Sequence, residues 1–222
     1  MSQSTKVGAD HEHSGHGAVL RFERFQGLVA ELRSFRLDDV LREMEKYKER
    51  GRILGFVRGL RLSARLISIL REALADTGVD VSWGHLLDAE ERSCSPECDV
   101  ILHRGGVVRT WNGERNSIME FKFVSCRNAV AVVSCKSLLT EVDTEYCQQM
   151  REYVRDVFLF AECCRPKDLK RLHDNATRAG YSGLWYLYAL EEGASEHVVD
   201  QRLWRSFLDA LQKVASRRRS RR

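Results

Sequence analysis

No stretch of this chain approaches the ~18 consecutive apolar residues needed to cross a bilayer. Its first 17 residues, MSQSTKVGADHEHSGHG, lack the basic opening and apolar run of a secretory signal. A cytoplasmic protein with no membrane partner is therefore expected. An even cysteine framework is missing too. The seven cysteines (Cys94, Cys98, Cys126, Cys135, Cys147, Cys163, Cys164) point to free, mostly buried thiols. Cys94 and Cys98 stand four apart with no second pair at ligand spacing, which argues against a zinc knuckle. There is no Walker loop, dinucleotide fingerprint, HExxH or GxSxG, so the chemistries those motifs carry are not expected. Strong net charge is also absent. The formal +4 falls to −1 once the five arginines of Arg217–Arg222 are set aside.

What is present is enough for one sizeable domain with extensions: 222 residues, 43% hydrophobic and 31% charged. Residues 1–17 are small, polar and histidine-bearing, and read as a disordered tail whose His11, His13 and His16 lack the support a metal site needs. Residues 18–58 read as a helical arm. Phe22, Phe25, Val29, Leu32 and Phe35 form one apolar stripe, and a second follows an N-cap at Asp38 and ends near Gly51. Such an arm would pack either on the core or on a second subunit, giving a homodimer through the N-terminal helices. Residues 59–216 read as an α/β domain. A helix over about 60–77 ends at Gly78, and strands follow at VDVSW, CDVILH, IMEFKFVS and AVAVVSCK. After a helix over TEVDTEYCQQMREYVRDV come strand VFLFAEC, a helix from Pro166 to about Ala179, strand LWYLYAL and a last helix over 200–216. Buried runs alternating with helices predict a mixed sheet flanked by helices. Residues 217–222 form a basic tail, either a source of sequence-blind phosphate contacts or a solubilising end.

Two short blocks carry the chemistry. In SPECDVILHR, Asp99 opens the apolar run Val100-Ile101-Leu102; in AVAVVSCKSLL, Lys136 follows the run Ala129–Val133. One core strand thus delivers a carboxylate and another an ammonium. Alternation puts residues 134 and 136 on one face of their strand and Cys135 on the other. Each block has a plainer reading, Asp99 as a turn residue and Lys136 as a solvated strand-end lysine. Their order and context together argue against dismissing both.

Taken with the element order, these blocks resemble the restriction-endonuclease-like (PD-(D/E)xK) nuclease superfamily. More narrowly, ECDVILHR followed by NAVAVVSCKSLLTEVD is similar to a prokaryotic nuclease-like domain family, whose strands carry Cys-Asp or Gln-Asp and then an acid-x-Lys-Ser/Thr ending. The resemblance covers about residues 60–190. It implies a restriction-endonuclease-like mixed sheet, Mg²⁺ (or Mn²⁺) as cofactor, nucleic acid (DNA foremost) as partner, and a prokaryotic defence or genome-maintenance setting. Asp99 would hold the metal and Lys136 would orient water and phosphate. Phosphodiester hydrolysis needs hard cations to polarise phosphoryl oxygens, and one or two carboxylates suffice to anchor Mg²⁺.

The departure is Ser134, where the motif has an acid. Either the acid has moved or the site is inert. Candidates for a moved acid are Glu162, a carboxylate in a buried strand that needs a partner, then Glu141, Glu145 and Glu120. Glu162 would join Asp99 at the metal and Glu141 would share the catalytic role. Glu120-Phe121-Lys122 is itself a rival Glu-x-Lys. The superfamily often places an acid on its first core helix; Glu72 is the candidate, with Ser63 in the nearer position. A metal-dependent nuclease is the leading expectation. A catalytically inactive nuclease fold that binds nucleic acid or protein is the alternative, and a scaffold built on the N-terminal helices is a third.

Overall fold

A computed structural model describes residues 50–111, 121–190 and 199–217. The tail 1–17, most of the arm 18–58 and residues 218–222 lie outside the described residues, as does Glu120. Helix α1 (Arg50–Ala73) runs unbroken across position 58/59, where the arm was expected to join the domain. Seven strands follow: β1 (Asp80–Leu87), β2 (Cys98–His103), β3 (Val107–Trp111), β4 (Phe121–Ser125), β5 (Ala129–Leu139), β6 (Val157–Cys164) and β7 (Gly183–Ala189). Helices α2 (Thr144–Met150), α3 (Leu169–Ala179) and α4 (Gln201–Ala215) complete the described elements.

The strands form one mixed sheet in the order β3-β4-β1-β2-β5-β6-β7. β1 pairs antiparallel with β2 and parallel with β4, β2 antiparallel with β5, and β5, β6 and β7 run parallel. Alternation in the strands feeds two cores. On one face Val100, Leu102, Ala131, Val133, Phe158 and Phe160 meet α1 and α4; on the other Ile101, Val132, Leu159 and Ala161 meet α2 and α3. Aromatic rings lock α4 down, with Phe160 and Phe207 centroids 4.6 Å apart and Trp185 5.6 Å from Phe207. Trp185 and the buried Leu187 are thus packing residues.

Helix α2 is shorter than its sequence pattern suggests. It begins under an N-cap, Asp143 accepting from the Tyr146 amide, and stops at Met150. Tyr153 and Val154 both turn their amides back to the Met150 carbonyl, bringing the chain round to β6. Gly180 ends α3 in the left-handed conformation expected of it. All seven thiols are unbridged. Burial pushes Cys98 and Cys164 up to about 12 and Cys135 well above its ordinary value, so these thiols stay protonated and inert. The first arginine of the basic tail is tethered, Arg217 Nη1 lying 2.8 Å from Asp156 Oδ2.

Candidate active site

The site forms where two strands part. β2 and β5 pair from His103–Ala129 to Val100–Val133, with one register shift between Leu102 and His103. Beyond that last pair β2 ends at Cys98, while β5 runs on beside β6 to Leu139. The split opens a cleft of about 490 Å³, bounded by Ser63 of α1, Trp83 of β1, Glu97 and Asp99 at the head of β2, Ser134–Leu138 of β5, and Tyr146 of α2. Asp99 and Lys136, distant in sequence, stand in this one cleft with Ser134.

Asp99 is held from both sides. Its Oδ2 accepts the Cys135 amide at 2.8 Å, and the Ser63 hydroxyl also favours its charged form. Burial nevertheless outweighs those bonds and the nearby Lys136 charge, and the Glu97 charge adds to it, so the carboxyl is pushed up to about 6. Ser63 itself is buried, and its single hydroxyl proton has two acceptors to serve, the Gly59 carbonyl at 3.0 Å and Asp99. Ser134 is 2% exposed and lines the cleft as a neutral group. The Tyr146 hydroxyl is buried, with the Cys98 thiol beside it and no other hydrogen-bond partner among the described residues.

Trp83 follows Val79 and Val81 onto the α1 face by alternation, and β1 turns irregular beside it, its register to β2 shifting between Ser82 and Gly84. Gly84 makes the irregularity feasible. Its φ is +146°, and a Cβ on it would stand 1.9 Å from the Lys122 carbonyl oxygen of β4.

The remaining sequence candidates are placed elsewhere. Glu162 is 2% exposed, and its Oε1 accepts from the Tyr188 hydroxyl at 3.2 Å. The β5–β6 register pairs Lys136 with Ala161, so Glu162, one residue on, projects from the opposite face of the sheet. The partner it needed is Tyr188, and it does not line the cleft. Glu141 and Glu145 are exposed on and before α2, and neither is part of the cleft wall. Glu72 is exposed on α1, nine residues and therefore about 13 Å along the axis from Ser63. Ser63 occupies the helix position that faces Asp99. Lys122 of the rival Glu-x-Lys pairs with Asp80 at 3.3 Å, away from this cleft.

Glu97 was missed. It lay in a polar stretch, DAEERSCSPE, that reads as a loop and carries no periodicity. Its one sequence signal is that it stands two residues before Asp99.

No family model and no curated protein matches the sequence. Solved structures do match. The cAAA-bound form of NucC from P. aeruginosa ATCC27853 superposes with a TM-score of 0.52 at 12% identity, over 96% of this chain and 93% of that one. The cAAA-bound form of NucC from E. coli MS115-1 gives 0.52 at 10% identity over the same shares. The fold is a NucC-like restriction-endonuclease fold. At these identities the likeness to NucC fixes the architecture alone, and the residues of the cleft must carry any statement about chemistry.

Proposed function

We propose that this chain is a divalent-metal-dependent nuclease acting on nucleic acid phosphodiesters, DNA foremost, with its reaction centre at the β2–β5 split. The observation that carries this reading is the convergence of Asp99 and Lys136 on one cleft that Ser63, Ser134, Ser137 and Tyr146 also border. The residues suit Mg²⁺ or Mn²⁺. The donors are oxygens, the thiols nearby are protonated, and an ion that keeps several waters and takes substrate phosphates needs only one or two carboxylates. Such an ion, when bound, polarises the phosphoryl oxygen and acidifies an attacking water. Asp99 would hold it through the carboxylate that the Cys135 amide orients. The Lys136 ammonium would sit against the phosphate and counter the charge that grows there in the transition state. The Ser63, Ser134 and Ser137 hydroxyls offer hydrogen bonds to water or phosphate.

The second reading, an inactive nuclease fold that binds nucleic acid or protein, is favoured by two observations. Ser134 is neutral, and among the described residues no group of three His, Cys, Asp or Glu side chains gathers to hold a metal. Cleavage of plasmid, linear duplex, single-stranded DNA and RNA, in Mg²⁺ or Mn²⁺ against chelator, separates the two. Because both NucC structures are cAAA-bound forms, each assay is run with and without cAAA. Metal-dependent cleavage of any substrate supports the nuclease; binding without cleavage throughout supports the inactive fold.

The serine gives a prediction of its own. A carboxylate at this position would share the face of Lys136 and add ligand charge to the cleft, so Ser134→Asp is expected to tighten Mn²⁺ binding about tenfold. Isothermal titration calorimetry checks it, and unchanged affinity in a folded variant would place Ser134 away from the ion.

A further inference from the structure

We infer that Glu97 is the second carboxylate of the cleft, a cation ligand preset by the indole of Trp83, in place of the acid missing at position 134. This rests on the proposed metal-dependent reading of the site. Four observations converge on it. Glu97 lines the same cleft as Asp99 and Lys136, whereas Glu141, Glu145, Glu162 and Glu72 do not. Its Oε1 accepts the Trp83 Nε1–H at 2.8 Å, which fixes one carboxylate oxygen and leaves Oε2 to face a ligand. The donor is fixed by its place on β1, packed against the α1-side core and edge-on to Phe121 beside the register shift at Gly84. Finally, Tyr146, whose buried hydroxyl has only the Cys98 thiol beside it among the described residues, and the buried Ser134 border the same space, which leaves polar groups there for an ion and its waters to satisfy.

The charge balance is consistent. Asp99 and Glu97 bring two negative charges to one wall and Lys136 one positive charge to another, which suits a dication bound together with a phosphodiester anion. Asp99 feels the Glu97 charge, as two acids sharing a site must. The indole itself is packed against the core on the α1 face and edge-on to Phe121, so its N–H is a fixed donor and the glutamate it holds is exposed.

The test is Mn²⁺ binding to the full chain, followed by calorimetry and by the loss of the free-ion electron paramagnetic resonance signal, neither of which requires turnover. Wild type, Glu97→Gln, Asp99→Asn and Trp83→Phe are compared. The expected result is at least a tenfold loss of affinity in Glu97→Gln and a several-fold loss in Trp83→Phe, which keeps the carboxylate and removes only its donor. Wild-type affinity in Glu97→Gln, with binding abolished in Asp99→Asn, would overturn the role of Glu97 and leave the metal-dependent reading standing. No saturable binding by wild type would overturn both. If circular dichroism shows Glu97→Gln unfolded, Trp83→Phe carries the test: a folded variant at wild-type affinity overturns the inference.

Discussion

Asp99→Asn is expected to abolish cleavage and, in metal-free buffer at neutral pH, to make the protein more stable. The loss of activity follows from removing the carboxylate that would hold the ion. Metal polarisation of a phosphoryl oxygen supplies several kcal/mol of transition-state stabilisation, so the rate should fall by on the order of 10³ or more. The gain in stability follows from burial. The folded-state carboxyl lies at about 6, above its ordinary value of 3.8, so folding favours the protonated acid and ionisation costs the folded protein. That penalty is complete above about pH 6 and vanishes below the unfolded value near 4. A shift of this size corresponds to about 3 kcal/mol for a fully shielded group; the partial exposure of Asp99 reduces the expected gain to about 1–2 kcal/mol. Asparagine keeps an oxygen for the Cys135 amide, so the geometry survives. Urea denaturation at pH 7.5 and pH 4 checks the prediction: the variant should be the more stable at the higher pH, and its advantage should shrink as the pH falls. Equal stability at pH 7.5 would mean that the carboxylate is solvated after all.

Lys136→Ala is expected to lower the cleavage rate by about 10²–10³ while leaving cation binding intact. The ammonium would act on the phosphate and the attacking water, not on the ion. Removing a positive charge from the wall that Asp99 faces should, if anything, tighten Mn²⁺ binding slightly. The pair of readouts matters more than either alone. Activity lost with binding retained is the behaviour of a group that works in the transition state. Activity and Mn²⁺ binding lost together in a folded variant would show that Lys136 holds the site open instead. Full activity in Lys136→Ala would move the reaction centre away from β5.

The contrast between these two residues and the displaced acids shows what the sequence made legible. Asp99 and Lys136 flank runs of buried β-branched and aliphatic residues, and such runs identify core strands without reference to anything distant. The lysine's face followed from alternation alone. Glu162 had the same local credentials, since burial of a carboxylate does demand a partner. Its face, however, depends on the parallel register of β5 and β6, which pairs Lys136 with Ala161 and turns Glu162 to Tyr188. Register between strands separated by a helix is set by packing that a single sequence does not display. Glu97 was hidden for a related reason, because its position rests on the Trp83 indole fourteen residues away. Strand β3, VVRTW, was overlooked because turn signals at Gly105-Gly106 and Asn112-Gly113 bracket it so closely that the whole segment reads as a loop. By contrast β6, β7, α3 and α4 coincide closely with their sequence patterns.

The most direct measurement is the position of a manganese ion in crystals of the wild-type protein grown with Mn²⁺, located by anomalous scattering. The account predicts a peak in the β2–β5 cleft about 2.1 Å from an Asp99 carboxylate oxygen, with a Glu97 oxygen in the same coordination sphere. A peak on other residues, or none in the cleft at saturating Mn²⁺, would contradict it.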